Sequence, residues 1–312
     1  MGRAVEEIRE NVFIATKVSP EHLSYNALLK SAEGSLHRLK TDYIDLYQVH
    51  WPNPKILISE TMRAMERLLK EGKIRYVGVS NFSLKELKKA QAALSEDEIV
   101  SIQVEYNFFD RTIENSILPY CECEGITTIA YSPLDQGKIA SGGKRIKALR
   151  KIANKYNRSM AQVALNWLIS HPSVITIPKA TNPAHIKENA AVTDFELLDE
   201  DFREISKIFT QECVYVPVNR IRVILGGQGN RQVYQTVEEA IENKLGFVPS
   251  PLDLAHDIQK GEVLKPVRVI RSTYKTSNYD FDLIEGRIRY WAWVIAHNGE
   301  KPIPVYIRDN GK

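Results

Sequence analysis

Apolar residues along the chain keep two alternating rhythms. Short runs rich in Val, Ile, Tyr and Thr read NVFIATKV (11–18), YIDLYQVH (43–50), IRYVGVSN (74–81), IVSIQVEYN (99–107), ITTIAYSPL (126–134) and VITIPKA (174–180). Several are almost continuously apolar, as strands covered on both faces must be. Between them the spacing turns helical: Leu28, Leu29, Ala32, Leu36 and Leu39 share one stripe, and Met62, Met65, Leu68 and Leu69 another. Further helices are predicted over 84–93, 114–123, 158–170, 183–191 and 199–209, with Asp199 as an N-cap. Six strands alternating with helices predict β-α units that build one parallel sheet.

Regular alternation ceases near 210–216, which places a domain boundary there and divides the chain into 1–209 and 210–312. The second part holds a glycine-rich loop (Gly226, Gly227, Gly229), an amphipathic VEEAIENKLG segment, a proline-rich turn at 249–251 and strands near 266–270, 281–285 and 303–307. That composition predicts a small α+β domain. The glycine loop lacks the Lys-Ser/Thr ending of a phosphate loop, so it reads as a turn.

Parallel barrels place their chemistry at the carboxyl ends of the strands, which makes polar residues closing apolar strands the candidates to examine. Nearly every strand here closes that way. In order they are Lys17, His50, Ser80 with Asn81, Gln103 within its strand, Tyr131 with Ser132, and Lys179. Singly, each has an ordinary explanation; Ser80-Asn81, for one, has the composition of a helix N-cap. Together they predict one polar mouth above an apolar barrel.

Composition narrows the setting. At 312 residues, 43% hydrophobic and 26% charged, the chain is long enough for two cores and ordinary for a globular protein. No run approaches the length of a membrane span, and the start, MGRAVEEIRENVF, is charged where a secretory signal is apolar, so the expected location is the cytoplasm. The net charge of +3 divides evenly: 28 Lys and Arg against 27 Asp and Glu up to residue 209, and 14 against 12 beyond it. Neither part carries a nucleic-acid footprint. Three cysteines, Cys121, Cys123 and Cys213, make no disulfide framework. The C-x-C pair has no partner ligands nearby, so no metal site is expected.

The segments ATKV, DLYQVHWP, GVSNF, IQVEYN, AYSPL and IPKATNPAHIKENA, in that order and spacing, resemble the aldo-keto reductases. The resemblance implies a TIM-type (β/α)8 barrel that here lacks its first two β-α units, since such a barrel takes about 250 residues. It implies hydride transfer from NADP or NAD to a small carbonyl substrate, supported by Asp, Tyr, Lys and His. Lys17 matches the lysine that lowers the tyrosine pKa, and His50 the histidine that orients the carbonyl. The family's Asp and Tyr precede the segment with which this sequence begins, leaving the tetrad incomplete; Tyr25, in the loop after the first strand, is a remote substitute. Ser80, Asn81 and Gln103 would hold the nicotinamide carboxamide, and Tyr131 would stack on the ring. Ser132, Leu134 and Gln136 would line the pyrophosphate path, Lys179 would face the adenosine phosphate, and Glu188 and Asn189 the adenine. His185 stands where the family often has Arg. A barrel truly opened in this way would expose two strand edges and apolar surface, which a partner or a second copy, as in a homo-oligomer, would have to cover.

In the second domain, PLDLAHDIQKGEVLKPVRVI and FDLIEGRIRYWAWVIAHNGEKPIPVYI resemble the ParB and sulfiredoxin-like fold. A strand meeting Gly286 and then a helix would converge backbone N–H groups on one point beside Arg287 and Arg289, which suits a nucleotide or phosphate. The sulfiredoxin cysteine is absent, which excludes that redox chemistry. The alternative is that Arg287 and Arg289 are solvated while Trp291 and Trp293 fill a small core. A non-catalytic nucleotide-binding or interaction protein is then the competing reading of the whole.

Overall fold

The computed structural model describes residues 2–140, 144–208, 213–224, 234–262, 264–272 and 279–308. The chain divides into two compact units, Met1–Phe209 and Thr210–Lys312.

In the first unit six strands form one parallel sheet in sequence order: β1 (Ala15–Val18), β2 (Ile44–Val49), β3 (Ile74–Ser80), β4 (Ile99–Glu105), β5 (Thr127–Tyr131) and β6 (Val174–Thr176). Each strand pairs with the next in sequence, so each connection climbs back along a helix, which is the wall of a barrel. Among the described residues β1 and β6 are the two ends of this sheet. The first strand is shorter than its apolar run: Glu6–Asn11 is a 3-10 segment, and regular pairing starts at Ala15. Ile14 still accepts from the Leu46 amide at 3.0 Å.

The helices follow their stripes. In Tyr25–Leu39, Leu28 and Ala32 are buried, with Leu29, Leu36 and Leu39 packed around them; in Ile58–Lys70, Met62, Met65 and Leu68 are buried. Leu84–Gln91 and Met160–Ile169 open on capping boxes, Ser83 with Glu86 and Ser159 with Gln162, which satisfy amides that a helix start leaves unpaired. The helix Asp199–Ile208 begins at Asp199 itself. A helix over Lys144–Lys155 was not legible as a stripe, because six of its twelve residues are Lys or Arg.

The second unit is a five-stranded mixed sheet in the order β7 (Cys213–Val216), β11 (Ile303–Arg308), β9 (Val267–Arg271), β10 (Phe281–Glu285), β8 (Ile221–Val223). Helices Pro251–Gln259 and Arg287–His297 pack against each other over it. Strands β7 and β8 are missing from the sequence reading because four and three residues show too little alternation. The VEEAIENKLG segment is helical only over Val237–Ile241, and the proline-rich turn contains a cis Val248–Pro249 bond. The glycine loop at 226–229 lies outside the described residues. Trp291 is buried and donates to the Tyr234 carbonyl at 3.1 Å, while Trp293 is partly buried and donates to the Lys301 carbonyl at 3.1 Å.

At Gly78 of β3 the neighbouring strands come close. A methyl group there would stand 2.5 Å from Ser101 Oγ and 2.9 Å from Gln48 Cγ, on strands β4 and β2. Gly78→Ala is therefore expected to destabilise the first unit by about 1–3 kcal/mol, read as a lowered urea midpoint with unchanged far-UV dichroism; an unchanged midpoint would refute this account of the interior.

Candidate active site

Because all six strands run the same way, their carboxyl ends share one side of the sheet. Lys17 and Gln103 lie one and two residues before the ends of β1 and β4, Ser80 and Tyr131 end β3 and β5, and His50 and Asn81 follow β2 and β3 there. Register carries the ends together: Lys17 pairs with Gln48, Ser80 with Gln103, and Glu105 with Tyr131. The His50 amide continues the ladder to the Val18 carbonyl at 3.0 Å.

Asn81 is the hub of this mouth. It holds a left-handed backbone, φ 61°, which Asn tolerates better than most residues. Its Nδ2 donates to the His50 carbonyl and to Ser80 Oγ, both at 3.0 Å, and its Oδ1 accepts from the Tyr131 hydroxyl at 3.0 Å. One amide thus ties together the ends of β2, β3 and β5. Neither Ser80 nor Asn81 caps a helix, since that role falls to Ser83 two residues on. The bond between the Asn81 amide and the Gln103 carbonyl, 2.9 Å, adds β4.

Gln103, nearly buried, accepts at Oε1 from Gln48 Nε2 at 3.2 Å, and its own Nε2 makes no hydrogen bond among the described residues. Gln48 is fully buried. It was absent from the sequence candidates because it sits inside its strand; a polar residue interrupting the run DLYQV was the available signal.

Lys17 is half-buried, and burial holds its ammonium below the usual lysine range. His50 is also lowered, by burial first and then by the Lys17 charge, with Glu21 pulling the other way. Histidine in such a place is neutral at neutral pH and can present an N–H to a carbonyl oxygen. The ring of Trp51 lies 6.5 Å from that of His50. Tyr25 is not a loop residue: it opens its helix, donates its amide to Glu60, and stacks under the Arg63 guanidinium.

Beyond β5 the backbone turns through Ser132 and Asp135 with φ of 50° and 44° into a 3-10 segment, Asp135–Ala140. Leu134 packs against the core; the side chain of Gln136 lies outside the described residues. Lys179 and His185 are exposed, whereas Glu188 and Asn189 are half-buried on the helix Pro183–Ala190. Gln162 Nε2 donates to the Glu188 carbonyl at 3.2 Å, which ties that helix to its neighbour. Among the described residues no cluster of His, Cys, Asp and Glu could hold a metal ion, and no helix is long and apolar enough to cross a membrane.

In the second unit Gly286 takes φ 90° and begins the helix Arg287–His297. Arg287 and Arg289 are half-buried. Arg289 Nη1 donates to the carbonyls of Lys265 and Pro266 at 2.9 and 3.0 Å, so part of its donor set fastens the approach to β9. Arg268, fully buried, pairs with Glu285 at 2.6 Å beside this turn.

The profile of the aldo/keto reductase family matches residues 1–209. The methylglyoxal reductase YeaE of Escherichia coli is 38% identical over 210 residues, 67% of this chain and 74% of that protein. The glyoxal reductase of Bacillus subtilis is 41% identical over 206 residues, 66% of this chain and 71% of that protein. The crystal structure of an aldo/keto reductase from Klebsiella pneumoniae in complex with NADP and acetate superposes with a TM-score of 0.63 at 35% identity, covering 67% of this chain and 74% of that one.

If the Lys17 charge helps hold His50 neutral, Lys17→Met should raise the His50 titration midpoint seen by NMR from its value below 6.5. An unmoved midpoint would leave burial as the whole cause.

Proposed function

The chain belongs to the aldo/keto reductase family through residues 1–209, and on that premise we propose that it binds NADPH or NADH across the strand ends and reduces a small carbonyl compound. The observation that carries the reading is the single mouth at the strand ends, where Asn81 ties His50, Ser80, Gln103 and Tyr131 together and Lys17 stands on the adjoining strand in register with Gln48. The donor set fits a nicotinamide: Gln103 Nε2 is available to a carboxamide oxygen, Ser80 Oγ stands beside it in register, and the Tyr131 ring is held by its hydroxyl. Ser132, Leu134 and Gln136 would follow the pyrophosphate, Lys179 the adenosine phosphate, and Glu188 with Asn189 the adenine.

The bound coenzyme would supply the hydride. His50, neutral at neutral pH, would orient the substrate carbonyl through an N–H, and the partly desolvated Lys17 ammonium would stabilise negative charge growing on the oxygen. The alkoxide would take its proton from solvent water, to which the exposed His50 at the mouth is open; Lys17 and His50 are two of the four groups that the resemblance implies. Methylglyoxal and glyoxal, which the names of two relatives carry, are the substrates to try.

A second reading, a non-catalytic nucleotide-binding or interaction protein whose function lies in the 210–312 domain, is favoured by the glycine turn that opens the helix Arg287–His297. In that reading a second copy would cover the ends of the sheet. The 210–312 domain is read as ParB/sulfiredoxin-like, with Gly286, Arg287 and Arg289 receiving a phosphate; the glycine opening an eleven-residue helix supports this.

Titrating the protein with NADPH, and then adding methylglyoxal, separates the readings. Reduction predicts quenching, consumption of NADPH, and a loss of about 100-fold in kcat/KM for His50→Ala. Quenching without consumption selects the second reading, and failure to bind either coenzyme sinks the first.

A further inference from the structure

Ser132 has a conformation that its own sequence opposes. A non-glycine residue at φ 50° is uncommon, and the following Pro133 further presses residue 132 toward extended backbone. Asp135, three residues on, is left-handed as well, at φ 44°. Such conformations persist where surrounding structure imposes them, and they gather at ligand clamps. What imposes this one comes from the neighbouring strand. Asn107, 1% exposed, donates from Nδ2 to the Ser132 carbonyl at 3.0 Å. The same carbonyl accepts the Asp135 amide at 2.9 Å, which closes the turn.

We propose that Asn107 is a positioning residue that sets the Tyr131–Asp135 turn for the coenzyme by holding the Ser132 carbonyl. The inference rests on the coenzyme reading above for its functional part.

Asn107 is itself fixed before it reaches across. Its Oδ1 accepts the Phe109 and Asp110 amides at 2.8 and 2.9 Å. Its backbone exchanges two hydrogen bonds with Asp110, both at 3.1 Å. The preceding residue, Tyr106, is fully buried, donates its hydroxyl to Glu114 at 2.7 Å, lies 2.9 Å from His171 Nε2, and gives its amide to the Tyr131 carbonyl at 3.4 Å. The side chain therefore has one planar group whose oxygen is spent locally and whose nitrogen is spent on Ser132. Only a short amide can do both: aspartate keeps the acceptors and loses the donor, and glutamine places the group one methylene too far. With Asn81 gripping the Tyr131 hydroxyl from the β3 side, the residue expected under the nicotinamide and the one expected beside the pyrophosphate are held from two strands.

The test compares the full chain with N107D, which retains the oxygen that accepts the two local amides and turns its other oxygen toward the Ser132 carbonyl, and with N107S, whose hydroxyl can replace the local turn but not the reach to Ser132. Hydrogen exchange of the peptide covering 131–137 is expected to quicken at least tenfold in whichever variants retain the wild-type urea midpoint, with sheet amides unchanged. Their Kd for NADPH is expected to rise about tenfold. On an S132G background, where glycine takes the left-handed φ freely, N107D should lose most of its effect on Kd. Unchanged exchange over 131–137 overturns the positioning. Faster exchange with an unchanged Kd overturns its bearing on the coenzyme. If wild type binds neither NADPH nor NADH, the coenzyme reading fails, while the exchange data still decide whether Asn107 sets the turn.

Discussion

Parallel strands that each pair with the next must all end on the same side, and this fixes where polar groups can meet in the first unit. The six strands are three to seven residues long, with β2 buried through its length, and β1 to β5 bring a polar residue to one rim. The rim then needs cross-links, because side chains and carbonyls beyond the last ladder bond have lost their strand partners. The Asn81 amide supplies three of these links, and the Asn107 amide supplies one more, to the Ser132 carbonyl.

These amides do work that charged residues could not do at the same depth. Asparagine and glutamine both donate and accept, so a few of them can satisfy one another and several carbonyls without importing a charge that burial would penalise. Gln48 with Gln103 follows the same logic one layer lower. At the opening itself Lys17 is half-buried and His50 exposed, while Asp110 and Asp135 are buried in the loops after β4 and β5. Burial lowers the pKa of Lys17 and of His50, and the Lys17 charge lowers that of His50 further.

The second unit follows another plan. Its five strands alternate parallel and antiparallel pairings, and a glycine at positive φ lets β10 turn directly into a helix. Its close ion pairs include Arg268 with Glu285 and Arg222 with Asp282, much as Arg9 pairs with Asp45 in the first unit. Arg289, an obvious anion binder in the bare sequence, spends two bonds on the loop carbonyls of Lys265 and Pro266.

Long apolar runs with helical stripes between them were sufficient to give the six β-α units, and the helices over Tyr25–Leu39 and Ile58–Lys70 bury the residues their stripes mark. Polar residues at strand ends were legible for the same reason, since strand direction alone sends them to one rim. The short strands β7 and β8 and the lysine-rich helix Lys144–Lys155 were not, because their pattern is carried by pairing and packing and not by periodicity. Nor could the sequence assign the work within Ser80-Asn81-Phe82-Ser83: any serine or asparagine there can cap a helix, and only the fold gives the cap to Ser83 and the cross-links to Asn81. Asn107 is the sharpest case. Its partner is twenty-five residues away on the adjacent strand, a distance that periodicity cannot see and that register alone closes.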